Sequence, residues 1–245
     1  RRLTLEGAKV QGVYEIKAEP SGLTRNIVQC LEDYNIPMHL GATVTKVHGS
    51  ERVEAVTISQ VDENLRALPG TEEYVPCDTL VLSVGLIPEN DMLLPLGVQI
   101  DPRTGGPAVD QLMATGQAGL YSCGNALHVN DLVDYVSESG EIAGSSAARF
   151  ALGKPDRPCH LPVIPQGDIH YVVPQKLDIA AGGQAVLYFR SARTIANASL
   201  EISAGGQVLL QKKYKAVRPP EMERIVLDLA LLPPGTEELS LNLRG

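Results

Sequence analysis

The chain lacks tryptophan, which means only that no indole ring anchors its core. It also lacks any Cys-x-x-Cys pair, because its four cysteines, Cys30, Cys77, Cys123 and Cys159, lie far apart. This spacing excludes a redox-active CxxC, and no Cys/His pairs stand at the spacing of zinc ligands. We therefore predict no metal site and interpret the cysteines as buried, reduced thiols of a cytoplasmic protein.

A surplus of basic residues is missing as well. The net charge is −8 and the isoelectric point is about 5.2. Nucleic acids and anionic membranes attract basic surfaces, so neither is an expected partner. No apolar run reaches transmembrane length, and we expect no insertion into a membrane. The chain is 44% hydrophobic over 245 residues, enough to build one large domain or two small ones.

The first part of the chain alternates strand and helix patterns. "AKVQGVYEI" predicts a strand ending at Glu15, and "GLTRNIVQCLEDYNI" has the apolar spacing of a helix. "MHLGATVTKVHG" and "RVEAVTISQVD" alternate apolar and polar residues, which predicts two half-buried antiparallel strands. In "YVPCDTLVLSVG", the continuous apolar run over residues 80–84 is typical of a buried parallel strand.

A second strand-to-helix pattern follows in "GLYSCGNALHVNDLVDYVSESGEIAG", residues 119–144. An apolar strand ends in small residues, and a helix begins near Asp131, which with Asp134 has the spacing of a capping box. Ligands of doubly wound α/β sheets bind beyond the carboxyl ends of strands, where a helix N-terminus offers free N–H groups. Gly140 and Gly144 predict close packing of this helix against another backbone. An ordinary strand–turn–helix with small packing residues is the alternative.

The last third has a different pattern. Residues 154–167 contain several prolines and predict a linker. Residues 168–245 contain six short apolar-alternating runs separated by turns, the signature of a small antiparallel sandwich. The residues that share a face within each run predict its core: Val186, Tyr188, Leu200, Ile202, Val208, Leu210, Ile225, Leu227 and Leu229.

The motifs "CDTLVLSVGLIPEN" and "ATGQAGLYSCGN…VSESGEIAG" resemble, in order and spacing, two segments of the FAD- and NAD(P)-dependent pyridine nucleotide-disulfide oxidoreductase superfamily. The resemblance covers residues 1 to about 153. It implies an α/β fold with partial Rossmann-like domains, followed here by a small all-β antiparallel sandwich. Residues 1–87 are expected to be a partial NAD(P)-binding domain, and residues 88–153 the C-terminal part of an FAD-binding domain.

The superfamily's GxGxxG phosphate loops are missing from the chain. We therefore expect a C-terminal fragment that depends on an upstream part of the same polypeptide. Since that part supplies the pyrophosphate site, the fragment alone is expected to bind FAD poorly and to be inactive.

The resemblance also implies cofactor-binding residues. For FAD they are Gly124, Asn125, Asp134, Tyr135, Val136 and Ser137, and for NAD they are Glu15 and Gly85. Asn125 stands where the family usually has Asp, which removes a charge but keeps an acceptor. An acidic residue at position 15 favours NADH over NADPH by binding the ribose hydroxyls. A solvent-facing glutamate and a plain turn glycine are the alternatives at Glu15 and Gly85.

The implied activity is hydride transfer between NAD(H) and flavin, with a final substrate that the sequence does not specify. No catalytic side chain is assigned, because Cys123, His128, Asp131 and Glu141 each fit a packing, loop, cap or surface role. A partner redox subunit and a second copy of the chain are the candidate partners. The alternative function is a non-enzymatic binding or assembly module built on a degenerate α/β domain.

Overall fold

The computed structural model describes residues 1–154, 161–178 and 182–245. The chain divides into two compact units, Arg1–Val84 and Gly85–Gly245. The predicted fold class, α/β followed by an all-β sandwich, is confirmed. The assignment of residues 1–87 to a nucleotide domain and of residues 88–153 to a flavin domain stays a prediction.

The first unit opens with a parallel β-α-β crossover. After the short helix α1 (Arg2–Leu5), strand β1 (Val13–Glu15) pairs in parallel with β2 (Met38–Leu40), and helix α2 (Thr24–Cys30) connects them. This is the partial Rossmann-like element. The single strand predicted from "MHLGATVTKVHG" is wrong: Gly41, at φ +65°, ends β2, and the chain turns into a separate sheet.

That separate sheet is an antiparallel meander, as predicted. Its strands are β3 (Ala42–His48), β4 (Ala55–Gln60) and β5 (Glu73–Pro76). One face is apolar and carries the core of the unit, formed by Ala42, Val56, Ile58 and Val75.

The strand predicted over residues 80–84 is absent from the structure. Val81 is 66% exposed and Val84 is 90% exposed. A β-run forms a strand only when a neighbour pairs with its backbone, and none of the described strands does so. The strand predicted over residues 119–122 is likewise reduced to one bridge between Ala114 and Tyr121.

Helix α3 (Val133–Ala151) lies in the second unit and begins two residues later than predicted. Its buried face is formed by Ser139, Ala143 and Ser146, spaced about one turn apart. The prediction that Gly140 and Gly144 pack closely against another backbone is wrong for the described residues. A Cβ atom added at either glycine meets nothing within 4 Å, because both lie off the buried face.

The sandwich consists of a five-stranded sheet in the order β12-β11-β15-β6-β8, a three-stranded sheet in the order β14-β9-β7, and a short β10-β13 pair. All pairings are antiparallel except the parallel pair β15-β6. The strands are β6 (Leu161–Gly167), β7 (Ile169–Val173), β8 (Lys176–Leu177), β9 (Gln184–Ser191), β10 (Ile195–Ala196), β11 (Ser199–Ala204), β12 (Gln207–Lys213), β13 (Ala216–Val217), β14 (Glu223–Asp228) and β15 (Leu239–Arg244).

Strand β6 contradicts part of the linker prediction. Residues 161–167 lie inside the large sheet rather than between domains, since Leu161 and Val163 present a buried apolar face despite the neighbouring prolines. Residues 155–160 of the predicted linker lie outside the described residues.

The predicted sandwich core is correct at Leu200, Ile202, Ile225, Leu227 and Leu229, which are all buried. On the remaining strands the prediction fails in two ways. On the edge strand β12, Val208 is 46% exposed and Leu210 is partly buried, because an edge strand has a neighbour on one side only and a bulge interrupts the register with β11.

On β9 the predicted core face is wrong. The residues that face the sandwich core are Ala185, Leu187 and Phe189. Val186 and Tyr188 point to the opposite side of the strand, where Tyr188 is nevertheless completely buried. The strand is therefore covered on both sides, and the alternation of its side chains does not distinguish the two.

The two faces of β9 are distinguishable by mutation. We expect Leu187→Ala to lower the free energy of unfolding by about 2–5 kcal/mol, because it opens a cavity in the core. Val186→Ala is the matched control on the opposite face and is expected to cost about 1 kcal/mol. Urea denaturation of both variants measures the two free energies of unfolding. A larger loss of this free energy in Val186→Ala than in Leu187→Ala contradicts the assignment of the faces.

Candidate functional site

Glu15 lies at the carboxyl end of β1, where its two carboxylate oxygens hold the turn that follows. Oε1 accepts the N–H of Lys17 at 3.0 Å, and Oε2 accepts the N–H of Ser21 at 3.2 Å. Partial burial favours the neutral carboxyl, but the N–H of Lys17 and the hydroxyl and N–H of Ser21 outweigh it, so the pKa of Glu15 lies below its usual range. The side chain is charged at neutral pH and remains half-exposed beside the strand end.

Gly85 is exposed and adopts φ +96°, a conformation that other residues rarely tolerate. No described atom lies within 4 Å of a Cβ built there. The glycine is therefore required by its own backbone conformation and not by a close neighbour among the described residues.

Gly124 begins a single turn of 3-10 helix, residues Gly124–Ala126, directly before the loop to α3. Its N–H donates to Ser139 Oγ at 3.0 Å, and that hydroxyl donates in turn to the carbonyl of Val136 at 2.9 Å. A Cβ at Gly124 would lie 3.2 Å from a methyl group of Val136. The buried glycine thus allows the turn to sit directly against the first turns of α3.

Asn125 is exposed, and its side-chain oxygen is already engaged. Oδ1 accepts the backbone N–H of Asn130 at 3.0 Å and its side-chain amide at 3.4 Å. The acceptor expected to serve a cofactor at this position therefore closes the loop between the two asparagines. In this amide orientation the Nδ2 group of the exposed side chain is a hydrogen-bond donor.

The N-terminus of α3 carries no side-chain cap. The capping box predicted from Asp131 and Asp134 is wrong, because the Asp131 carboxylate bonds instead to Arg190 and to the N–H of Met222. Asp134 and Ser137 are exposed, and Tyr135 and Val136 are half-buried. These residues form the first turns of a 19-residue helix, whose free N–H groups favour a hydrogen-bond acceptor or an anion.

The back of the loop is held by residues that the sequence analysis did not identify. Asn90 is buried and donates through Nδ2 to the carbonyl of Ala126 at 2.9 Å and to that of Gly105 at 3.0 Å. A Cβ at Gly106 would lie 1.8 Å from the carbonyl oxygen of Leu127, so only glycine fits there. Asn90 is the last residue of the motif "CDTLVLSVGLIPEN", and Gly106 lies outside the quoted motifs. Their role in the loop depends on contacts with residues 15 to 36 positions away in the chain, which the sequence does not show.

His128 lies in the same loop and is almost completely buried. Its ring meets those of Tyr171 and Tyr188 at centroid distances of 5.9 and 5.6 Å, and Nδ1 has no hydrogen-bond partner. Burial, and to a lesser extent the positive charge of Arg190, lower the pKa of His128 to about 4. His128 is therefore neutral at physiological pH.

Glu141 is exposed, and Cys123 packs beside a small apolar cluster. Within the described residues, no group of three or more His, Cys, Asp or Glu side chains is arranged to hold a metal ion. None of the helices in the described part of the chain is long and apolar enough to cross a lipid bilayer.

Comparison with known proteins gives one family match, to pyridine nucleotide-disulphide oxidoreductase over residues 11–148. No curated protein matches the chain. Among solved structures, thioredoxin reductase from Streptococcus pyogenes is 17% identical with a TM-score of 0.38 and 61% of this chain covered. Thioredoxin reductase from Gloeobacter violaceus is 19% identical with a TM-score of 0.31 and 64% covered. The chain spans 47% and 48% of those two structures, about half of their length.

The buried histidine generates a prediction about stability. His128 has a pKa of about 4 when folded and its ordinary 6.5 when unfolded, so between these values only the unfolded chain takes up the proton. We expect the free energy of unfolding to fall by up to about 3 kcal/mol as the pH drops from about 7 to about 4. His128→Phe should flatten this dependence, measured as urea denaturation at several pH values.

The exposed His170, replaced by Gln, is the control and should leave the slope unchanged. Glu138 has a lowered pKa, so its contribution to the free energy of unfolding also falls as the pH drops. This loss occurs only at pH values below its ordinary pKa of 4.5, and it is the same in every variant. An identical slope above pH 4.5 in wild type and His128→Phe contradicts the prediction.

Proposed function

Because the chain belongs to the pyridine nucleotide-disulphide oxidoreductase family, we propose that it forms part of an FAD-dependent oxidoreductase that transfers hydride between NAD(H) and flavin. The observation that carries the proposal is the extent of the family match. Residues 11–148 include both the strand end at Glu15 and the whole segment from Gly124 to the first turns of α3.

The flavin is proposed to bind along Gly124, Asn125 and residues 134–137. The fit rests on two groups of donors, the side-chain amide of the exposed Asn125 and the uncapped helix N-terminus, and on the buried Gly124 turn that carries Asn125. The two donors suit the carbonyl and hydroxyl oxygens of a flavin, and the Gly124 turn, whose own N–H is bonded to Ser139, holds Asn125 in place. Asp134 adds an exposed carboxylate at the first turn, so the bound edge is expected to be uncharged.

The nicotinamide nucleotide is proposed to bind at Glu15; a role of Gly85 in binding it stays a prediction. Each Glu15 oxygen accepts one backbone N–H and keeps further lone-pair capacity for ribose hydroxyls. Its charge is maintained by the same N–H groups, and a charged carboxylate repels the extra phosphate of NADP. The preference for NADH follows from this arrangement.

When bound, FAD supplies the hydride chemistry, and the protein supplies orientation and electrostatics. The described residues of this chain keep the binding segment in one orientation. Ser139 fixes the Gly124 turn, and Asn90 and Gly106 hold the loop behind it. Electrons are proposed to leave the flavin to an acceptor on a partner redox subunit or a small-molecule substrate.

Purification of the full-length protein tests the flavin assignment. We expect the visible absorption bands of an oxidised flavin in stoichiometric amount, and loss of those bands when NADH is added without oxygen. A colourless protein that does not bind added FAD contradicts the proposal and favours a non-enzymatic assembly module.

Replacement of Glu15 tests the nucleotide assignment. In the full-length enzyme, Glu15→Gln removes the charge but keeps an acceptor, and Glu15→Ala removes both. We expect both variants to lower the NADH-to-NADPH ratio of kcat/KM, about tenfold for Glu15→Ala, which corresponds to about 1.4 kcal/mol. Glu19→Gln, a nearby change of the same charge, is the control. An unchanged ratio in Glu15→Ala makes Glu15 a turn residue only.

A further inference from the structure

The loop before α3 is tied to the sandwich by a nearly buried ion pair. Arg190 of β9 donates to Asp131 Oδ1 at 2.5 Å, and the two side chains are only 13% and 11% exposed. The other Asp131 oxygen accepts the N–H of Met222 at 2.8 Å. Asp131 therefore receives both of these bonds from the sandwich part of the second unit.

Arg190 joins more than one segment. Its guanidinium also donates to the carbonyl of Val129 at 2.9 Å, to the hydroxyl of Tyr171 at 2.9 Å, and to the carbonyls of Pro219 and Pro220 at 3.1 and 2.6 Å. The planar fork of an arginine can satisfy several acceptors at fixed angles, which a lysine cannot do. The loop before α3 is thereby fixed to a sheet strand and to the loop that precedes β14.

A second tie lies one turn into the helix. Glu138 accepts two bonds from Arg224 of β14, at 2.8 Å from Nε and 2.5 Å from Nη2, and a third from the hydroxyl of the buried Tyr188. The hydrogen bonds from Arg224 are the main reason why the pKa of Glu138 is lowered. Tyr135 completes the contact, with its ring 5.5 Å from that of Tyr188.

The two ties enclose the residues proposed for flavin binding. Asp131 precedes residues 134–137 and Glu138 follows them, so sandwich residues fix this stretch of backbone at both ends. We propose that the β-sandwich is a positioning element of the flavin site, and that Arg190 and Arg224 are its positioning residues. The inference rests on the proposed function, and it gives residues 161–245 a role in cofactor binding without contact with the cofactor.

The test compares arginines of the same sandwich. Arg190→Met and Arg224→Met keep an apolar stem and remove the guanidinium. Arg193→Met is the matched control, because Arg193 also forms a two-bond ion pair, with Asp168, at an exposed site outside this cluster. The first measurement is amide hydrogen exchange of residues 131–138 without flavin; the second is FAD affinity and the visible flavin spectrum in the full-length protein.

We expect faster exchange, about tenfold weaker FAD binding and an altered flavin spectrum in Arg190→Met and Arg224→Met, and none of these in Arg193→Met. Arg224 is the more exposed of the two positioning residues, so its variant keeps the test decisive if Arg190→Met does not fold. Flavin affinity and spectrum in Arg224→Met that equal those of Arg193→Met overturn the inference.

The failure of the proposed function has a different signature. A wild-type protein that takes up no flavin contradicts the proposed function, and with it the positioning role. A wild-type flavoprotein that is indifferent to Arg224→Met overturns the positioning role alone.

Discussion

The burial of Arg190 is the constraint on which the second unit depends. A guanidinium taken out of water is stable only where ionic and hydrogen-bonding partners surround it, and Asp131 supplies the opposite charge. Loss of one partner from a buried ion pair typically costs about 3–5 kcal/mol, because the other charge is left uncompensated. The loop before α3, strand β9 and the loop before β14 are therefore held to one relative arrangement.

This arrangement explains why Tyr188 is buried on the side of β9 that faces away from the sandwich core. Helix α3 covers that side, and the tyrosine hydroxyl finds an acceptor in Glu138. Side-chain alternation identified β9 as a strand, but it could not identify the core face, since the apolar residues of both faces are withdrawn from water. Only the charged partners Glu138 and Arg224, distant in sequence, distinguish the helix-facing side.

Local signals in the sequence were reliable where the structure is local. The strand that ends at Glu15, the helix after it, the antiparallel meander, α3 and five of the nine predicted sandwich core residues follow from periodicity and turns. The predictions failed where the local structure depends on a partner that is distant in sequence. Residues 80–84 have the composition of a buried strand but no described strand beside them, and Asp131 has the spacing of a cap but is bound by an arginine fifty-nine positions away.

In the candidate site, too, only the local features could be predicted from the sequence. Its glycine turn and helix are visible in the sequence, whereas the hydrogen-bonding polarity of its surface is not. An asparagine in place of the family's aspartate suggests a weaker acceptor, yet Asn130 engages the oxygen of Asn125, so the amide nitrogen is the group of this exposed side chain that remains for a ligand. Together with the uncapped N-terminus of α3, the site then presents hydrogen-bond donors on neighbouring elements. Donors of this kind suit a ligand edge rich in neutral acceptors, as the proposed flavin edge is, and the Asp134 carboxylate in the first turn repels an anion.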